Sequence, residues 1–324
     1  MPPPATATTT SADTAAFGAA RDLCRQRDPD LFFASTFLSR SKRDAICAAI
    51  TFCRMIAEAI RPDDQGAVEP ASSRCSTDSA DGRLAMVHDR LDELYAGTVE
   101  LPLPEFREPT QHVLHAIGVV VRRYGIPREY FLDLATGCLA DVRVARYATW
   151  ASLEKYCRQT GGAVARVVAG VLGMTHSDAG RQAEQLGIAV RLTAILRDLT
   201  ADLARGRIYL PLEDLARFRY SERDLAGGVV NDRFRDLMGF EIERARSLYR
   251  GGAEAIGWLA GDGSRLAAAT ITVLAAGVLS SIERHGYNVF SATAGLTTSQ
   301  KFRRLPAAWR LARREPGRPI PKIV

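Results

Sequence analysis

The chain has 324 residues, 47% of them hydrophobic and 25% charged, which is the make-up of a globular protein with apolar material for a large core. Lys and Arg number 43 against 37 Asp and Glu, a formal charge of +6 whose excess sits in the closing stretch KFRRLPAAWRLARREPGRPIPKIV; that suits anionic lipid headgroups or a phosphorylated ligand. Aromatic content of 7%, with no interleaving of aromatic and basic residues, speaks against nucleic acid as a partner.

From the amino terminus, MPPPATATTTSADTAAF has neither a charged start nor an apolar h-region, so residues 1–15 are expected to form a disordered arm and the protein to be cytoplasmic. Apolar residues then recur at three and four, predicting helices over 16–27, 31–39, 42–60, 81–96, 107–124, 127–145, 150–172, 177–203, 211–217, 221–225, 231–259, 262–284 and 298–312. The polar stretch 61–83 is expected to be a long loop. Strand signals are almost absent, no repeat is visible, and one all-α domain, 16–312, accounts for the chain, followed by a basic tail, 313–324. No uninterrupted apolar run approaches about 18 residues, so any membrane contact would be peripheral. Six cysteines without a CxxC pair read as reduced packing residues, and five histidines show no HExxH pairing.

The stretch LTAILRDLTADLARGRIYLPLEDL, 192–215, carries the clearest chemistry. Asp198 and Asp202 lie four apart on a predicted helix, so their carboxylates project from one face a single turn from each other. Mg²⁺, held by carboxylates, water and substrate phosphates, would relieve their repulsion. Spacing alone favours a solvated face with the acids paired to Arg197 and Arg205. The nearby guanidiniums of Arg197, Arg205 and Arg207, with Tyr209 following, favour phosphate recognition and ionisation of a diphosphate ester.

RDLTADLARGRIYLP, 197–211, resembles the second aspartate-rich motif of the squalene and phytoene synthase family, approximately RDxxxDxxxGRxYLP. Other blocks recur in order: FCR at 52–54, FLDLATGCLAD at 131–141, RYATWASLEKYCRQTGGAV at 146–164, AEQLGIAVRLT at 183–193 and IERHGYNVF at 282–290, then Lys301. The resemblance implies the isoprenoid synthase fold, a single helical bundle around a central cavity, and Mg²⁺-dependent ionisation of an allylic diphosphate. It makes Asp198 and Asp202 metal ligands and Arg54, Arg197, Arg207 and Tyr209 diphosphate contacts. Gly137 and Asp141 match a GxxxD element facing the cavity, and Tyr156 and Gly162 fall in a block that shapes the hydrocarbon channel.

The departures are also informative. Where the family has a first acidic motif after FCR, this chain has Ala57, Glu58 and Arg61, so both outer acids are lost. Arg191 stands for a glutamine and Ala194 for an asparagine, while a Tyr-Arg pair has become Ala275 and Ala276. Such a cavity is expected to hold less metal, with Arg61 and Arg191 neutralising phosphate in part, and to widen at Ala275. The leading expectation is therefore one prenyl diphosphate donor, dimethylallyl diphosphate, and a neutral aromatic acceptor, as in the similar phytoene-synthase-like prenyltransferases of carbazole biosynthesis. Asp141, Tyr147 and the released diphosphate are candidate bases. The alternatives are head-to-head condensation of two prenyl diphosphates to squalene, phytoene or a related hydrocarbon, and a non-catalytic prenyl-binding partner protein.

Overall fold

Apolar residues spaced three and four apart, bounded by capping side chains, make the chain helical through most of residues 11–61, 79–98, 110–291, 295–315 and 317, which this computed structural model describes. In chain order the helices are α1 Ser11–Arg27, α2 Pro29–Ser35, α3 Arg40–Ile60, α4 Ala80–Ala96, α5 Thr110–Tyr124, α6 Arg128–Arg143 and α7 Trp150–Cys157. After a π-helical turn, Arg158–Gly162, come α8 Ala163–Leu172, α9 Ala179–Arg197, α10 Leu199–Ala204, α11 Leu212–Arg217 and α12 Glu222–Ala226. The last four are α13 Asp232–Gly252, α14 Glu254–Gly257, α15 Ser264–Arg284 and α16 Thr298–Ala312. Local chemistry sets several boundaries. Asn231 accepts the Phe234 N–H at 3.0 Å to start α13, Thr149 and Ser152 form a capping box for α7, and Gly97 at φ 73° ends α4.

Three features differ from the sequence reading. Helix α1 starts at Ser11, inside the expected arm. The run 150–172 is interrupted by the π turn, where Thr160 donates its hydroxyl to the Tyr156 carbonyl at 2.8 Å. The run 177–203 breaks at Asp198, which caps both neighbouring helices with φ −99° and ψ 17°. Helix α15 corrects a fourth point, because its 21 residues contain a window of mean hydropathy 1.7, long and apolar enough to cross a membrane. That window is 72% buried within the bundle, which accounts for its composition as core. Most of the 61–83 loop and of the basic tail, and residues 1–10 of the arm, lie outside the described residues.

Two apolar clusters build the bundle. One draws on α1, α3, α4, α5, α6 and α8, with Phe52 edge-on to Phe131 at 5.2 Å. The other draws on α7, α9, α11, α12, α13, α15 and α16. Leu186 on α9 and Ala268 on α15 pack against both, and both line a cavity of about 630 Å³ at the seam.

Candidate active site

The cavity is walled by helical stripes. Along α9 and α10 the lining positions include Gly187, Val190, Arg191, Ala194, Ile195, Asp198, Ala201, Asp202 and Arg205, and along α3 they are Ile50, Cys53, Arg54, Ala57, Glu58 and Arg61. Both follow the three-and-four spacing of one helix face. Helix α8 contributes the apolar run Val164, Ala165, Val168, Ala169 and Leu172. A polar rim, holding the two aspartates with Arg205 and Arg207, thus meets an apolar interior.

The Asp202 N–H still donates to the Asp198 carbonyl at 3.0 Å, so the kink keeps the two acids one turn apart. Asp198 accepts two bonds from Arg197, at 2.7 and 2.6 Å, and Asp202 lies 3.8 Å from Arg205. Burial pushes the Asp202 carboxyl up to about 6; Arg191 opposes that shift and Asp198 adds to it. Such a carboxyl gains from a cation beside it. Arg197 does not line the cavity, so its observed role is to hold Asp198, and the pairing foreseen for a solvated face coexists with cavity exposure.

Behind the rim lies a charged and aromatic network. Asp141 is buried and both its oxygens are engaged, one by Arg61 at 2.5 Å and the other by the Tyr209 hydroxyl at 2.6 Å. Tyr147, Tyr156 and Tyr209 pack with ring centroids 5.3–5.8 Å apart. Arg191 donates to the Tyr156 hydroxyl and lies 5.1 Å and 5.6 Å from the Tyr156 and Tyr209 rings. A close helix crossing sets this arrangement: a Cβ on Gly161 would stand 2.2 Å from the Gly187 carbonyl oxygen and 2.8 Å from the Arg191 Cβ. Only glycine admits that contact.

Other expected site residues fall differently. Arg54 reaches the cavity while bound to Asp28 at 2.6 Å, and Glu58 while bound to Arg27 at 2.7 Å. Gly137 and Gly162 do not line the cavity; their missing side chains make room for Gln159 and Thr160, and for Glu184, respectively. Ala275 packs with the second apolar cluster beside buried Ala276, and the α15 lining ends at Thr272, so Ala275 does not widen this cavity. Tyr147 lies behind the lining, and burial raises its phenol well above the ordinary value, which keeps it protonated and removes it as a base. Asp141, with both oxygens occupied, is placed to position Arg61 and Tyr209. Asp28 was not foreseen, although RDPD at 27–30 places acids on both sides of a proline at a helix start. Asp30 of the same stretch pairs with Lys301.

An all-helical bundle with an acidic pair and guanidiniums at the mouth of an apolar cavity suits a ligand with an anionic head and an apolar chain. A profile of the squalene/phytoene synthase family matches residues 24–306, and the chain belongs to that family of prenyltransferases. It is 33% identical over 306 residues to a 15-cis-phytoene synthase of Synechocystis sp., covering 90% of this chain and 84% of that protein. It is also 33% identical over 311 residues to a phytoene synthase of Arthrospira platensis, covering 90% and 93%. Among solved structures, a dehydrosqualene synthase superposes with TM-score 0.79 at 22% identity, over 92% of this chain and 96% of that one. A squalene synthase from Alicyclobacillus acidocaldarius gives 0.71 at 23%, over 86% and 99%. The architecture is the isoprenoid synthase fold. These relatives favour the head-to-head alternative over the aromatic acceptor that was the leading expectation.

Proposed function

We propose that the protein ionises an allylic prenyl diphosphate at the Asp198–Asp202 rim and joins the prenyl chain head to head with that of a second prenyl diphosphate. The observation that carries this reading is the α9–α10 stripe, which puts the acidic pair at the polar end of an apolar cavity in a chain 33% identical to phytoene synthases. The donor set suits Mg²⁺, a hard cation that would be held by Asp198 and Asp202 with water and phosphate oxygens. Bound there, it would neutralise charge growing on the leaving diphosphate. Arg54, Arg205 and Arg207 are placed to donate to the remaining diphosphate oxygens. The apolar walls of α8 exclude water from the allylic cation. With Asp141 engaged and Tyr147 protonated, the departing diphosphate is the remaining candidate to accept a proton.

A second reading is transfer of one dimethylallyl group to an aromatic carbon. It is favoured by the opposite wall, where Ala57 replaces an acid, Glu58 is bound to Arg27, and Arg61 occupies Asp141. Incubation with farnesyl or geranylgeranyl diphosphate and Mg²⁺ should yield a C30 or C40 hydrocarbon. Its absence, together with prenylation of a carbazole from dimethylallyl diphosphate, would replace the first reading with the second. Asp198→Ala or Asp202→Ala should lower metal-dependent diphosphate release by roughly 100-fold or more. No diphosphate release by wild type, with biological activity untouched in both variants, would support the non-catalytic alternative.

A further inference from the structure

Arg191 lines the cavity and makes no direct ion pair among the described residues, although Asp141 and Asp202 act on it through space. Among the described residues its one hydrogen bond is to the neutral Tyr156 hydroxyl, its Nε has no partner, and no carboxylate lies within ion-pair distance. Arginine remains ionised in such surroundings. A guanidinium withdrawn from water without a carboxylate bonded to it is costly, unlike Arg54 and Arg197, which each grip one. The side of Arg191 not covered by the two tyrosine rings faces the cavity, since Arg191 is part of its lining.

Position separates this station from the metal pair. Arg191 precedes Asp198 by seven residues, two helical turns and about 10 Å of axial rise. Arg61 lines the same cavity and shares the Asp141–Tyr209 network that seats the Tyr209 ring against Arg191. A fixed cation here would repel an allylic carbocation unless an anion stood beside it during turnover.

We propose that Arg191, with Arg61 beside it, forms a metal-independent anion subsite in the cavity wall that holds the diphosphate of the second substrate. Guanidinium forks match phosphate oxygens in place of an acid-bound metal. The Tyr156 and Tyr209 rings fix the Arg191 side chain, so little freedom is lost when the anion binds. The proposal rests on the Asp198–Asp202 rim being the ionisation site, and it reconciles two headgroups with a single acidic wall.

The test is calorimetric titration of the full chain with inorganic diphosphate in excess EDTA. Wild type should bind one equivalent, and Arg191→Gln should bind roughly 10- to 100-fold more weakly. Arg191→Lys should lie between them, and Asp202→Asn should bind at least as well as wild type. Farnesyl S-thiolodiphosphate, an unreactive analogue, distinguishes the source of the anion. Tighter binding than inorganic diphosphate supports a substrate headgroup, while equal or weaker binding assigns the subsite to released product and overturns the second-substrate assignment. Absence of metal-free binding by wild type would overturn the proposal whether or not the variants fold. Equal affinity of wild type and a folded Arg191→Gln, or tighter binding of benzoate than of diphosphate, would also overturn it. Loss of the ionisation reading would instead appear as Mg²⁺-dependent turnover that survives Asp198→Ala and Asp202→Ala.

Discussion

Asp198 and Asp202 carry the same functional group and differ in what surrounds it. Asp198 is clasped by Arg197, whereas Asp202 is withdrawn from water and its carboxyl rises to about 6. Because the folded state holds the proton more tightly than the value of 3.8 expected unfolded, this group costs nothing below about pH 4 and destabilises the metal-free protein as pH rises through 6. A divalent cation must displace that proton. Affinity for Mn²⁺, followed by its paramagnetic resonance signal, should therefore fall roughly tenfold per pH unit below 6 and level off above. Asp202→Asn should remove the slope and stabilise the metal-free protein at pH 8. Asp141 should act through packing: Asp141→Leu takes the carboxylate from Arg61 and Tyr209 and should cost about 3–5 kcal/mol in urea unfolding. The double variant with Arg61→Leu should recover much of that loss, because an apolar pair replaces a buried ionic one. At this scale the sequence reveals the acidic pair, since four residues on a helix fix a face. It does not reveal the partner of Arg61, which lies 80 residues away and is set by tertiary packing. Nor does it show that Ala275 misses the cavity.

Most helices were legible in approximate extent, and α16 starts and ends where its pattern does, but the runs 150–172, 177–203 and 231–259 each divide, so thirteen expected helices become sixteen among the described residues. The π turn was hidden, since TGG at 160–162 has no periodicity of its own and its geometry answers to the backbone contact between Gly161 and Gly187. Pairings between elements were hidden for the same reason. Arg244 on α13 donates to Asp214 on α11 and to Glu241, each at 2.8 Å. Glu241 is fully buried, and burial raises its carboxyl to about 8 against the opposing pull of Arg244, with Asp214 adding to the rise. The stability this group contributes is complete below about 4.5 and is lost as pH rises through 8. The urea midpoint should accordingly fall between pH 6 and pH 9. Glu241→Gln should flatten that decline, and an unchanged slope would show that the α11–α13 contact does not hold a protonated acid.

Across the whole molecule, two apolar clusters meet without closing, and the space left between them has one polar end and one apolar wall along α8. Chain length is the property such a cavity can measure, because each added isoprene unit must displace void or side chain once the headgroup is fixed at the rim. Val168 lines the cavity on α8, four residues from Val164 and from Leu172 on the same face. Val168→Phe places an aromatic ring in the path of a long chain while leaving the acids and guanidiniums untouched. In competition between geranylgeranyl and farnesyl diphosphates, the kcat/KM ratio should shift toward the shorter donor by roughly tenfold or more, since even one misfitting methylene costs about 1–3 kcal/mol. Dependence on Mg²⁺ should stay as in wild type. An unaltered ratio with normal turnover would mean that the prenyl chain does not run along α8 and that another wall sets its length.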